Sequence, residues 1–142
     1  HCMKILLAVD GSAYTKKMLA YLSTHEALIS GSVEYAVLTV QAALPPRARS
    51  ALGKSIVDEY YADEAAKVLN PVSKFLGRHG IVPQQISKVG VAGEVIAKVA
   101  ETGKFDLVVM GSHGHSSLGN LVMGSVSTQV LAHCKVPVLL VR

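Results

Sequence analysis

Tryptophan is absent from these 142 residues, phenylalanine occurs twice and tyrosine five times, so few flat side chains are available for stacking nucleic-acid bases. The formal charge of +4 is spread along the chain and gathers into no basic stripe, which argues against a nucleic-acid partner. The nearest approach to a patch is Arg47 and Arg49 after the stiff Pro45-Pro46 pair, which reads as a solvated linker able to swing over an anionic ligand. Cysteine is equally scarce. Of the two, Cys2 stands with His1 ahead of Met3 and reads as a remnant before a native initiator, so the domain is expected to run from Met3 to Arg142. Cys134, beside His133 at the end of a helical pattern, reads as a reduced packing residue, and no disulfide framework is possible from such a pair. No apolar run approaches the ~20 residues of a membrane helix, and no signal-peptide core is present. A cytoplasmic protein without a membrane partner is expected. The standard phosphate motifs are missing as well: neither G-x-x-x-x-G-K-[ST] nor a G-x-G-x-x-G after a strand occurs.

What the chain does have is apolar residues, which make up 50% of it, enough to bury the core of one domain. Their periodicity alternates between strand and helix. Met3 to Val9 reads as a buried strand ending at Asp10-Gly11-Ser12, and Ala13 to Leu28 as a helix with Met18, Leu19 and Leu22 inward. Val33 to Val40 is a second strand, and Gln41 to Gly53 a linker. A long helical pattern runs from Lys54 to Gly77, with Val57, Tyr61, Val68 and Val72 inward and a kink or restart expected at Asn70-Pro71. Ile86 to Val91, Asp106 to Met110 and Val136 to Val141 read as strands. Helices are expected from Gly93 to Glu101 and after Gly124. Such alternation implies an α/β fold, a parallel sheet with helices on both faces and right-handed crossovers.

The stretch Gly111 to Ser125 follows a strand apolar enough to be buried on both faces. Its glycines fall as Gly111-x2-Gly114-x9-Gly124-Ser125. Glycine lets the main chain approach a ligand closely, and N–H groups beside a helix N-terminus make an anion site. The same residues also suit a plain turn, Gly114 and Gly119-Asn120 included. Length favours a ligand, because the small and polar run from Ser112 to Asn120 exceeds the roughly 2 to 6 residues usual between a strand and a helix. Asp10, closing an otherwise apolar strand, is either a ligand contact or a cap for the first helix, a task open to Ser12 too. Val40 reads as a plain core valine.

The G-x2-G-x9-G-[ST] pattern resembles the ATP-binding signature of the universal stress protein family. Gly111, Gly114, Gly124 and Ser125 stand at its positions, and KILLAVDGS (Lys4 to Ser12) and VPVLLVR (Val136 to Arg142) are similar to that family too. The resemblance implies a single-domain, Rossmann-like sheet of five parallel strands in the order 3-2-1-4-5, of the adenine nucleotide alpha hydrolase type. It implies ATP or AMP as ligand, with Mg²⁺ carried on the phosphates. On that basis Ala8, Asp10 and Val40 are expected at the adenosine, Met110 and Gly111 near the ribose, and Gly114, Gly124, Ser125 and Val126 around the phosphates. The family often has proline where Ala92 stands and arginine where His115 stands.

His113 and His115 suggest a metal by their spacing, but no cysteine or carboxylate lies near them in the sequence to complete a site. Beside phosphates they would act as protonatable partners, and surface positions without contact are the alternative. Catalysis has little support, since Met110 spoils any G-x-S-x-G elbow at Ser112 and no carboxylate flanks the glycines to activate water. The first reading is therefore a nucleotide-binding stress-response module that reports to a regulatory protein partner. A slow ATPase or self-phosphorylating protein using Ser116, Ser117 or Ser125 is the second, and a nucleotide-free adaptor the third. A homodimer is expected through Val136 to Val141, an uncharged apolar strand that the implied order leaves at a sheet edge.

Overall fold

The computed structural model describes residues 2–25, 27, 32–115 and 122–142. In chain order its elements are β1 (Met3–Ala8), α1 (Ala13–Thr24), β2 (Val33–Gln41), α2 (Pro46–Leu52), α3 (Lys54–Gly77), β3 (Gln84–Val89), α4 (Ala92–Thr102), β4 (Leu107–Gly111), α5 (Ser125–His133) and β5 (Val138–Val141). The strands form one parallel sheet in the order β3-β2-β1-β4-β5. β1 lies at its centre, with Ile5 opposite Tyr35 of β2 and Leu107 of β4. The chain winds outward from β1 in both directions, so strand order reverses between β1 and β4.

Both faces of the sheet are covered, which is why its inner strands are apolar without alternation. On one face Ile5, Leu7, Val9, Tyr35 and Val37 pack under Met18 and Leu22 of α1 and Leu69, Val72 and Leu76 of α3. On the other, Leu6, Ala8, Ala36, Leu38, Val108 and Met110 meet Ile96 and Ala100 of α4 and Val130 of α5. Each fully buried Leu, Ile or Val contributes about 1.5–3 kcal/mol. α4 and α5 touch at Gly93, where a Cβ would lie 2.4 Å from the Gln129 Cβ.

Four expectations shift. Residues 46–52, read as linker, form α2 with Pro46 at its first position, and none of its side chains is buried, so no apolar face announced it. α3 continues through the exposed Pro71, so the helix does not restart there. β3 begins two residues before Ile86 and ends at Val89, because this edge strand is set by its ladder to Ala36–Gln41 and hardly by burial. At the other edge, β5 starts at Val138, and the Pro137 carbonyl accepts the Val108 N–H at 2.9 Å. The first helix ends at Thr24; its expected end at Leu28 lies outside the described residues, as do Ser116, Ser117, Gly119 and Asn120.

Candidate functional site

In an open parallel sheet, loops diverge at the carboxyl ends of the strands where the order reverses, and a crevice opens there. Here that point lies between β1 and β4. A cavity of about 290 Å³ occupies it, near the lower end of the roughly 300–1,000 Å³ typical of small-molecule pockets. Its apolar wall belongs to the face covered by α4 and α5: Ala8, Leu38, Val40, Ile96, Met110 and Val126. Asp10, Thr15, His113, Ser125 and Ser127 supply polar groups, and Gly111, Gly114 and Gly124 bring main chain to the surface.

The β1–α1 turn is built around Asp10. Its Oδ1 accepts the Ser12 N–H at 2.9 Å and the Thr15 hydroxyl at 3.0 Å. Thr15 Oγ1 in turn accepts the N–H groups of Asp10 and Gly11, both at 3.2 Å. Gly11 sits at φ +77°, in the left-handed region where a side chain is strained. Asp10 thus orders the turn without acting as a conventional helix cap, and Ser12 makes no capping bond: its buried hydroxyl has no partner among the described residues.

The β4–α5 loop meets this turn across the sheet. Gly111 ends β4 against Tyr14, whose Cβ would lie 2.6 Å from a Cβ at position 111. Gly114 faces the Asp10 carboxylate: a Cβ there would stand 2.7 Å from Oδ2. Gly124 donates its N–H to the Ser112 carbonyl at 2.7 Å, and a Cβ would lie 3.2 Å from the His113 Cα. The loop therefore closes on itself immediately before α5, whose exposed Ser125 opens the helix. The first N–H groups of a helix lack intrahelical acceptors and carry partial positive charge. Ser127 Oγ ties α5 to the loop through the carbonyls of Gly111 and Ser112, each at 3.1 Å.

All the residues expected at the site line this cavity except His115. With Nε2 protonated, the exposed His115 donates to the Asp10 carbonyl at 2.7 Å and bridges the two loops. His113 lines the cavity, its ring 4.8 Å from that of Tyr14 and its Nδ1 2.8 Å from Ser112 Oγ. The two histidines thus have different surroundings despite their spacing. Among the described residues no three His, Cys, Asp or Glu side chains converge as metal ligands. Sequence reasoning missed Val9, Thr15, Leu38, Ala92, Ile96 and Ser127. Thr15 had a signal, as a polar residue sharing the inner stripe of α1 with Met18 and Leu22; Leu38 and Ile96 look like any other core residue.

The fold and its crevice define an open α/β domain with a cavity at the switch point. The model of the universal stress protein family matches residues 2–142, and the chain belongs to that family. It is 34% identical over 143 residues to a universal stress protein of Thermus aquaticus, with 97% of each chain covered. It is also 33% identical over 139 residues to universal stress protein Slr1230 of Synechocystis, with 98% of this chain but 42% of that protein covered. Its match to universal stress protein MJ0577 of Methanocaldococcus jannaschii, 35% identical over 80 residues, covers 56% of this chain and 49% of that one. The sequence matches thus span half or less of the length of these last two relatives. The solved structure of MJ0577 superposes with a TM-score of 0.77 at 28% identity, covering 98% of this chain and 94% of that one. The fold is shared with two nucleotide complexes. One is a family member from Arabidopsis thaliana with AMP bound, at 17% identity and TM-score 0.68, with 98% and 90% covered. The other is a universal stress protein from Archaeoglobus fulgidus in complex with dAMP, at 22% identity and TM-score 0.66, with 99% and 98% covered. No helix among the described residues is long and apolar enough to cross a membrane.

Proposed function

We propose that the cavity between β1 and β4 binds an adenine nucleotide, ATP or AMP, and that the chain reports nucleotide status to a regulatory protein in the cytoplasm as a homodimeric stress-response module. The observation that carries this reading is the pairing of an apolar slot with a tight glycine loop at a helix start in one crevice. A purine fits between Val40, Leu38, Ile96 and Met110, and phosphates fit at Gly114, Gly124 and the N-terminus of α5, where unpaired N–H groups favour an anion. AMP and dAMP in the two related folds support the same ligand class. Mg²⁺ fits as an ion that neutralises phosphate charge. The Asp10 Oδ2 faces Gly114, and the other oxygen of that carboxylate is already bonded. Pairing through β5 is favoured by its place at the sheet edge, where Val138, Leu139 and Leu140 remain half-buried and carry no charge.

Nucleotide released from the purified protein should be identified by mass and absorbance, with ATP and GTP titrated by calorimetry. ATP recovered unchanged supports a binding module, whereas ADP accumulating with time marks turnover. Ser125→Glu is the sharpest variant. A carboxylate in the first turn of α5 suits the helix dipole, so folding survives, but it repels phosphate by roughly 1–4 kcal/mol at 4 Å. ATP affinity should fall at least about fivefold. Wild-type affinity in Ser125→Glu, or GTP bound as tightly as ATP, would refute the assignment.

A further inference from the structure

The segment after β2 has a surface that the nucleotide cavity does not use. α2 has seven residues, none buried, and packs against α3. A helix this short does not hold itself in water, where isolated helices below ~12–15 residues are marginal and tertiary packing supplies the stability. Leu52 closes α2 at 45% exposure, and beyond the turn at Gly53, Ile56 and Tyr60 stand one turn apart on α3 at 53% and 43%. Val57, Ala65, Leu69, Val72 and Leu76 are the buried residues of α3, and the helical period puts Ile56 and Tyr60 on the opposite side. Ile56 and Tyr60 thus form an apolar stripe facing away from the sheet, with Leu52 exposed at the end of α2 just before it in the chain.

Charge along this stripe changes sign from end to end. Arg49 is exposed on the side of α2 that carries Leu52, three residues before it, and Glu59 and Asp63 are exposed on α3, each three residues from Ile56 or Tyr60. The other charges nearby are internally matched, Lys54 with Asp58 at 2.6 Å and Lys67 with Glu64 at 3.3 Å. A partner of uniform charge would be repelled at one end. A two-fold axis reverses the order, so that each basic end meets an acidic one.

We propose that the α2–α3 elbow docks a second copy of this chain across a two-fold axis near Ile56, with Leu52, Ile56 and Tyr60 at the centre and Arg49 of each copy against Glu59 and Asp63 of the other. The contact supplies the burial that α2 lacks within its own chain. It is distinct from edge pairing through β5 and does not depend on the nucleotide.

The test uses the full chain with Cys2→Ser and Cys134→Ser, so that an introduced cysteine is the sole thiol. An axis near Ile56 brings the two copies of position 56 together, so Ile56→Cys should form a disulfide-linked dimer under diamide. Ser50→Cys, exposed on the other side of α2, serves as control and should not. Arg49→Glu in the Ile56→Cys chain should slow linking about tenfold at low salt, and adding Glu59→Arg should restore it. Circular dichroism checks that each variant is folded, which exposed positions favour. Linking at position 56 no faster than at position 50, or a rate indifferent to Arg49→Glu, would overturn the proposal.

Discussion

Gly114 illustrates how a glycine can be required by a residue on another strand. Its backbone is not in the left-handed region, so alanine meets no conformational penalty there. The obstacle is Asp10 Oδ2, 2.7 Å from the position of a new Cβ, which must retreat by roughly 0.7 Å to reach ordinary contact at 3.4 Å. The carboxylate is not free to turn, because Oδ1 holds the Ser12 N–H and the Thr15 hydroxyl at 2.9 and 3.0 Å. Hydrogen bonds to a charged group are each worth about 1.5–3 kcal/mol, and distorting them forfeits part of that, about 1–2 kcal/mol. Against this, Gly→Ala reduces the entropy of the unfolded chain and stabilises by about 0.4–1 kcal/mol. Gly114→Ala should therefore be net destabilising in the wild-type chain. In an Asp10→Ala background the obstacle is gone, and the same substitution should stabilise. Urea unfolding of the four proteins yields the coupling energy, expected at about 1–2 kcal/mol. Effects that add within about 0.5 kcal/mol would show that the Asp10–Gly114 contact is not what demands glycine.

Thr15→Val keeps the shape of α1 but removes the acceptor for the Asp10 and Gly11 N–H groups and the donor to Asp10 Oδ1; a loss of about 2–3 kcal/mol is expected, with Thr15→Ser close to wild type in the same melts. The Tyr35 hydroxyl is buried without a partner among the described residues, and desolvation pushes its pKa up to about 12. The folded state thus resists ionisation, so its contribution is intact below pH 10 and is lost as pH rises from 10 towards 12. Tyr35→Phe removes an unpaired polar atom and should be neutral or stabilising by about 1 kcal/mol at pH 7; a wild-type stability that falls no faster than the variant's above pH 10 would contradict this. Leu139→Lys places a charge on the half-buried edge strand β5 and should halve the mass found by light scattering, while an unchanged mass would remove β5 from the interface.

Much of this protein was legible from residue order alone, because the information was local. Unbroken apolar runs at Ile5–Val9 and Leu107–Met110 demand burial on both faces, and their alternation with helical stripes leaves little but a doubly covered parallel sheet. The glycine spacing and the lone aspartate after β1 marked Asp10, Gly111, Gly114, Gly124 and Ser125 of the cavity, and the family resemblance added Ala8, Val40, Met110 and Val126. Other features depend on which segments lie side by side. α2 has no apolar face to betray it, and β3, exposed at an edge, takes its register from β2 and hardly from its own pattern. Thr15 joins the site because α1 turns it back onto Asp10. His113 and His115, two residues apart, separate into a cavity wall and a bridge to the Asp10 carbonyl. Gly114 needs to be glycine because strand order sets β4 beside β1 and brings it against a carboxylate distant in the chain. Periodicity reports how a segment meets solvent, but only strand order in space determines which distant side chain it touches.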